Sequence, residues 1–124
     1  RKILGKKIIG LSVDNAGQAL EAIRKGVDYV SLGSIFRTSS KQDYVLAGIE
    51  ELVKTRKAFD EQKISNPLIA IGGITQENIW EVLEAGADGI AVISAVSKSP
   101  SISSAVAKLL ESITKARNKK TVGL

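Results

Sequence analysis

Asp28-Tyr29-Val30-Ser31-Leu32-Gly33-Ser34-Ile35-Phe36-Arg37-Thr38-Ser39-Ser40-Lys41 reads as a short strand that runs past a glycine into a loop. The loop closes on the hydroxyl residues Thr38, Ser39 and Ser40 and then on Lys41. Hydroxyls donate hydrogen bonds and a lysine ammonium is a compact point charge, so the run suits the oxygens of a phosphate or pyrophosphate. The same composition also serves an ordinary solvated turn. The surrounding chain has to decide between the two.

Upstream, Arg1 to Lys7 has the character of a helix tail with Gly5 as its stop, and Ile8 to Ser12 is a short apolar strand. Asp14 or Asn15 can cap the next helix, and Asn15 with Gln18 three residues on has capping-box form. Ala19, Leu20 and Ile23 give that helix its apolar stripe and Gly26 ends it. Tyr29 to Leu32 is the second strand. Downstream, Val45 to about Phe59 reads as a helix with Ile49, Leu52 and Val53 at helical spacing. Beyond Asn66-Pro67, the strand Leu68 to Ile71 runs into Gly72-Gly73. Thr75 is placed to cap a helix over Gln76 to Ala85, stopped by Gly86. A fourth strand, Gly89 to Ile93, ends at Ser94. A last helix runs from Ser101 or Ile102 to Arg117 on Val106, Leu109, Leu110 and Ile113, and Asn118 to Leu124 reads as a frayed tail.

Strand and helix therefore alternate. The strands are apolar with little alternation, as expected where a parallel sheet is covered on both faces. An open doubly wound sheet and part of a (β/α)8 TIM barrel both fit this order. Two features favour the barrel. Ser12, the Thr38–Lys41 loop, Gly72-Gly73 and Ser94 all follow strand ends, and a barrel gathers its site on that one rim. The last two clusters also fall where barrels hold phosphate: a Gly-Gly turn lets backbone N–H groups approach an anion, and the start of a following helix adds positive charge. A barrel takes ~250 residues, so the 124 residues here, with about four β/α units, amount to half of one. Half a barrel leaves two strand edges unpaired. The chain is expected to be the C-terminal half of a longer protein, or a half that completes itself with another copy. The absence of Met points to a fragment as well.

Composition narrows the chemistry. The chain has no Cys and no His, which excludes disulfides, thiolate nucleophiles, Cys-based metal sites and Ser-His-Asp or Cys-His catalysis. Any metal would need oxygen ligands, as Mg²⁺ and Ca²⁺ take. The net charge is +5, with Arg1, Lys2, Lys6, Lys7, Lys115, Arg117, Lys119 and Lys120 clustered at the ends. No aromatic residues lie among them, so nucleic acid is not an expected partner. No apolar run reaches the ~18 residues of a membrane span. A cytoplasmic protein acting on small phosphorylated molecules is the expectation.

These residues resemble thiamine phosphate synthase (thiamine-phosphate pyrophosphorylase), aligned with the C-terminal half of that family. The resemblance rests on Ile9-Gly10-Leu11-Ser12, on Ala22 with Gly26 to Gly33, and on Phe36-x-Thr38-x-Ser40-Lys41. It extends to Ala70-Ile71-Gly72-Gly73-Ile74 and to Ala85 through Ala95. The Gly-Gly and Ala-Gly-Ala-Asp-Gly motifs occur in many phosphate-binding barrels; the F-x-T-x-[ST]-K loop beside them is more specific. The resemblance implies a transferase of thiamine biosynthesis. It would join 4-amino-2-methyl-5-pyrimidinylmethyl diphosphate to a thiazole phosphate, with Mg²⁺, giving thiamine phosphate and pyrophosphate. It assigns Ser12 and Lys41 to the pyrimidine diphosphate, with Lys41 also catalytic through the leaving pyrophosphate. Thr38, Ser39 and Ser40 would bind the thiazole substrate, and the backbone at Gly73, Ile93 and Ser94 would hold its phosphate. No metal ligand falls in this chain; the Mg²⁺ ligands belong to the family's first half, and without them the fragment alone is expected to be inactive. Arg37 stands where the family has Pro, and Ser40 where it has a second Thr.

Two alternatives share the barrel. A thiazole tautomerase of the same family carries a His after its fifth strand, near the position of Asp14, which this chain lacks. A non-catalytic phosphate-binding barrel or half barrel is the other. Trp80 reads as a helix-packing residue and Tyr29 as a packed strand residue. Asp28 and Asp88 each follow a helix stop and open a strand at the end opposite the rim, which assigns them to stability and not to metal.

Overall fold

The computed structural model describes residues 6–37, 46–92 and 100–122, the last with side chains to residue 115. Strands β1 (Gly10–Val13), β2 (Tyr29–Leu32), β3 (Leu68–Ile71) and β4 (Gly89–Ala91) alternate with helices α1 (Ala16–Arg24), α2 (Gly48–Glu61), α3 (Ile79–Glu84) and α4 (Ile102–Val122). The strands form one parallel sheet in the order β1-β2-β3-β4. This is an α/β fold of consecutive β/α units. The expected helix tail at residues 1–5, including Gly5, lies outside the described residues.

Register divides the sheet into two faces. Val13, Leu32, Ala70 and Ile90 fall in one row, and Leu11, Val30 and Leu68 in another on the same face. The core sits there, where Val30, Leu32, Leu68 and Ala70 meet Ala19 and Ala22 of α1, Leu52 and Phe59 of α2, Ile79 and Val82 of α3, and Leu109 of α4. Burying each large apolar side chain of this set contributes about 1.5–3 kcal/mol. The opposite face carries Gly10, Ser12, Tyr29, Ser31, Ile69, Ile71 and Ala91. Ile69 and Ile71 stand outside that core. Among the described residues, the helical layer packs on one face of the sheet.

Helix signals set the unit boundaries. Asn15 caps α1, its side chain accepting from the Gln18 N–H at 2.8 Å. Gln18 does not complete the capping box; its side-chain oxygen accepts from Asp14 N, one residue further back. Gly26, at φ +94°, ends the helix in a Schellman turn, with Gly26 N donating to Ile23 O and Val27 N to Ala22 O. Gly86, at φ +114°, repeats the turn after α3 through Leu83 O and Val82 O.

Two apolar faces and one helix start shift. In α2 the buried positions are Leu52, Thr55 and Phe59, while Val53 is 47% exposed. In α4 Leu109 is buried, but Val106 and Leu110 face outward with Ile102. Helix α3 starts at Ile79 and not at Gln76, because Gln76 to Asn78 form a turn that folds back on Thr75.

Candidate functional site

The C-terminal ends of β2 and β3 stay joined beyond the sheet. Ile35 N donates to Ile71 O at 3.0 Å and Phe36 N to Gly72 O at 3.0 Å. This fastens the root of the hydroxyl–lysine loop to the glycine turn. The fit depends on missing side chains: a Cβ on Gly72 would come within 2.7 Å of Ser34 Cα, and one on Gly73 within 2.7 Å of Arg37 O. Gly72 and Gly73 also adopt φ +106° and +65°, where side chains are strained.

Polar side chains lock both sides of this junction. Ser34 is buried and its hydroxyl donates to Phe36 O at 2.6 Å. The Ser34 carbonyl accepts from Ala47 N at 2.8 Å and Gly48 N at 3.3 Å, which brings the start of α2 back to the end of β2. On the other side, Asn78 donates from Nδ2 to Gly73 O at 2.9 Å and accepts at Oδ1 from Thr75 N at 2.8 Å. Neither Ser34 nor Asn78 stood out in the sequence. The signal for Asn78 was the Thr75-x-x-Asn78 spacing, which bends an Asn back onto the turn before a helix. With α3 beginning at Ile79 and not at Gln76, the helix start lies further from Gly73 than expected.

Of the residues expected at the site, Ser12 and Gly73 are described. Ser12 lies near the end of β1, exposed, beside Ser31 in register on the face away from the core. Gly73 lies in the locked turn. Thr38, Ser39, Ser40, Lys41, Ile93 and Ser94 lie outside the described residues. Arg37, the last described residue before Thr38, is exposed. A groove of about 380 Å³ also runs along the β1 edge, lined by Leu11, Ser12, Val13, Gln18, Glu21 and Lys25 among others. Apart from Ser12 it shares no lining residue with the rim, and its lining suits a packing partner better than an anion.

Asp28 and Asp88 are spent at the opposite end of the sheet. The Asp28 carboxylate accepts from Ile9 N at 2.7 Å and the Asp88 carboxylate from Leu68 N at 2.8 Å. Arg56 reaches the second of these, donating to Asp88 Oδ2 and to Gly86 O at 3.1 Å each. Among the described residues, no cluster of three or more acidic side chains could hold a metal ion, and no helix is long and apolar enough to cross a membrane.

Parallel β/α units whose glycine turn is joined to the Ile35–Phe36 segment at the carboxyl ends of the strands define an α/β protein with its candidate site on that rim. The family model described as thiamine monophosphate synthase matches residues 1–96, and the chain belongs to that family. It is 43% identical to the thiamine-phosphate synthase of Geobacillus kaustophilus over 96% of this chain and 52% of the relative. It is 41% identical to that of Chloroflexus aurantiacus over 94% of this chain and 53% of the relative. The solved thiamine phosphate pyrophosphorylase of Pyrococcus furiosus superposes with a TM-score of 0.80 at 38% identity, over 93% of this chain and 52% of that one. The chain thus spans about half the length of the curated relatives it matches.

Proposed function

We propose that this chain is the C-terminal half of a (β/α)8 TIM barrel and carries the thiazole-phosphate side of a thiamine phosphate synthase. The observation that carries the reading is the fastening of Ile35 and Phe36 to Ile71 and Gly72, which sets Arg37, the residue before Thr38, beside the glycine turn. The half-barrel part is supported by the sheet edges: among the described residues, β1 and β4 each pair on one side only. Apolar side chains lie open at Ile8 and Leu11 by β1, and at Ile102, Val106 and Leu110 along one stripe of α4. The remaining half barrel would cover them.

In the proposed reaction, the thiazole ring nitrogen bonds to the methylene carbon of the pyrimidine diphosphate. The carbon–oxygen bond breaks, and its electron pair leaves on pyrophosphate. Ser12 and Lys41 contact the diphosphate, and Lys41 stabilises the charge that develops as it departs. Thr38, Ser39 and Ser40 hold the thiazole substrate, with the backbone at Gly73, Ile93 and Ser94 on its phosphate. Mg²⁺ would supply further neutralisation of the diphosphate. Its ligands would come from the family's first half, as the resemblance implies. The fragment alone would then be inactive, and the whole protein cytoplasmic.

The test is an assay of the full-length protein containing this chain, given both substrates and Mg²⁺. Thiamine phosphate and pyrophosphate in equal amounts support the proposal. Isomerised thiazole without coupling would make it a tautomerase, and bound thiazole phosphate without conversion a binding module.

A further inference from the structure

We infer that Asn78 is a positioning residue for the phosphate of the thiazole substrate, an inference that rests on the function proposed above. Gly72 and Gly73 have the widest backbone freedom of any residue pair. They cannot be replaced by stiffer residues, because Ser34, Phe36 and Arg37 occupy the space a Cβ would need. The turn must therefore be held from outside. Two donors do this: Phe36 N holds the Gly72 carbonyl and Asn78 Nδ2 holds the Gly73 carbonyl. In a trans peptide the N–H points opposite the C=O. Holding these carbonyls sets the direction of the next two amides, Gly73 N–H and Ile74 N–H. Phe36 contributes a backbone group, so Asn78 is the side chain that decides the second amide. Its Oδ1 is bound to Thr75 N, which fixes the orientation of the side-chain amide. With both ends engaged, Asn78 acts on the anion through Ile74 N–H, the donor that follows the Gly73 N–H set by Phe36.

The test is calorimetric titration of the full-length protein with thiazole phosphate and, separately, with the pyrimidine diphosphate, alongside thermal midpoints. Asn78→Ala is expected to weaken thiazole phosphate about 10-fold and to leave the pyrimidine diphosphate unchanged. Asn78→Asp keeps the acceptor for Thr75 N but loses the donor and adds a negative charge. It is expected to weaken thiazole phosphate about 100-fold, by a margin over Asn78→Ala that shrinks at high salt. Should Asn78→Ala fail to fold, Asn78→Gln keeps both groups on a longer arm and is expected to show the same one-substrate loss. Unchanged binding in the variants, or equal loss of both substrates in step with the midpoint, overturns the inference alone. A wild-type protein that binds no thiazole phosphate overturns the proposed function and this inference with it.

Discussion

Asp88 and Leu68 exchange two hydrogen bonds across adjacent strand starts. The Asp88 N–H donates to Leu68 O and the Asp88 carboxylate accepts from Leu68 N, each at 2.8 Å. Asp28 and Ile9 repeat the arrangement at β1 and β2, both bonds at 2.7 Å. A Schellman glycine precedes each Asp, so helix stop, strand start and strand pairing are set by one short motif used twice. Asp88→Ala leaves the N–H of the buried Leu68 without its acceptor and should cost about 1–3 kcal/mol in urea unfolding. Asp88→Asn retains an acceptor oxygen and should cost less than half of that. Equal losses would show that the Arg56 ion pair, not the Leu68 bond, carries the stabilisation.

The glycine turn gives a second prediction. Gly72→Ala brings a methyl against Ser34 at a backbone angle that alanine rarely adopts, and should destabilise by about 2–3 kcal/mol. Gly48 has φ +82° but nothing within 4 Å of a new Cβ, so Gly48→Ala should cost only the strain, about 1 kcal/mol. Denaturant midpoints of the two variants, measured side by side, check this order.

Helix α2 gives a third. Phe59 is fully buried and Val53 is 47% exposed. Phe59→Ala should cost about 3–5 kcal/mol and Val53→Ala under about 0.5 kcal/mol. Comparable costs would mean that α2 presents its other face to the sheet.

Much of this was legible in the sequence. The run Leu68 to Ile71 with its bounding Pro67 and Gly72 gave β3 to the residue, and Gly26 and Gly86 marked their helix ends because no other residue takes that backbone angle cheaply. The faces of α2 and α4 were harder. Ile49, Leu52 and Val53 look like a stripe by spacing, yet the phase is set by packing that buries Thr55, whose hydroxyl bonds back to Glu51 O at 2.8 Å and so enters the core satisfied. In α4 Leu109 takes the core position, and Val106 and Leu110 stand outside it. At the site, the hydroxyl–lysine loop and Gly-Gly turn could be picked out singly. Their junction could not, since Ile35, Phe36, Ile71 and Gly72 meet through backbone groups that every residue carries. Asn78 was missed because its role depends on where the turn folds, and a polar residue before a helix ordinarily reads as a cap.

We propose that the loop ending in Lys41 serves the departing pyrophosphate. The most direct measurement is the rate of thiamine phosphate formation by the full-length protein and its Lys41→Ala variant, at saturating Mg²⁺ and both substrates. Product is expected from the wild type, with a fall of about 10²–10³-fold or more in kcat for the variant. A variant that turns over at the wild-type rate would contradict the proposal.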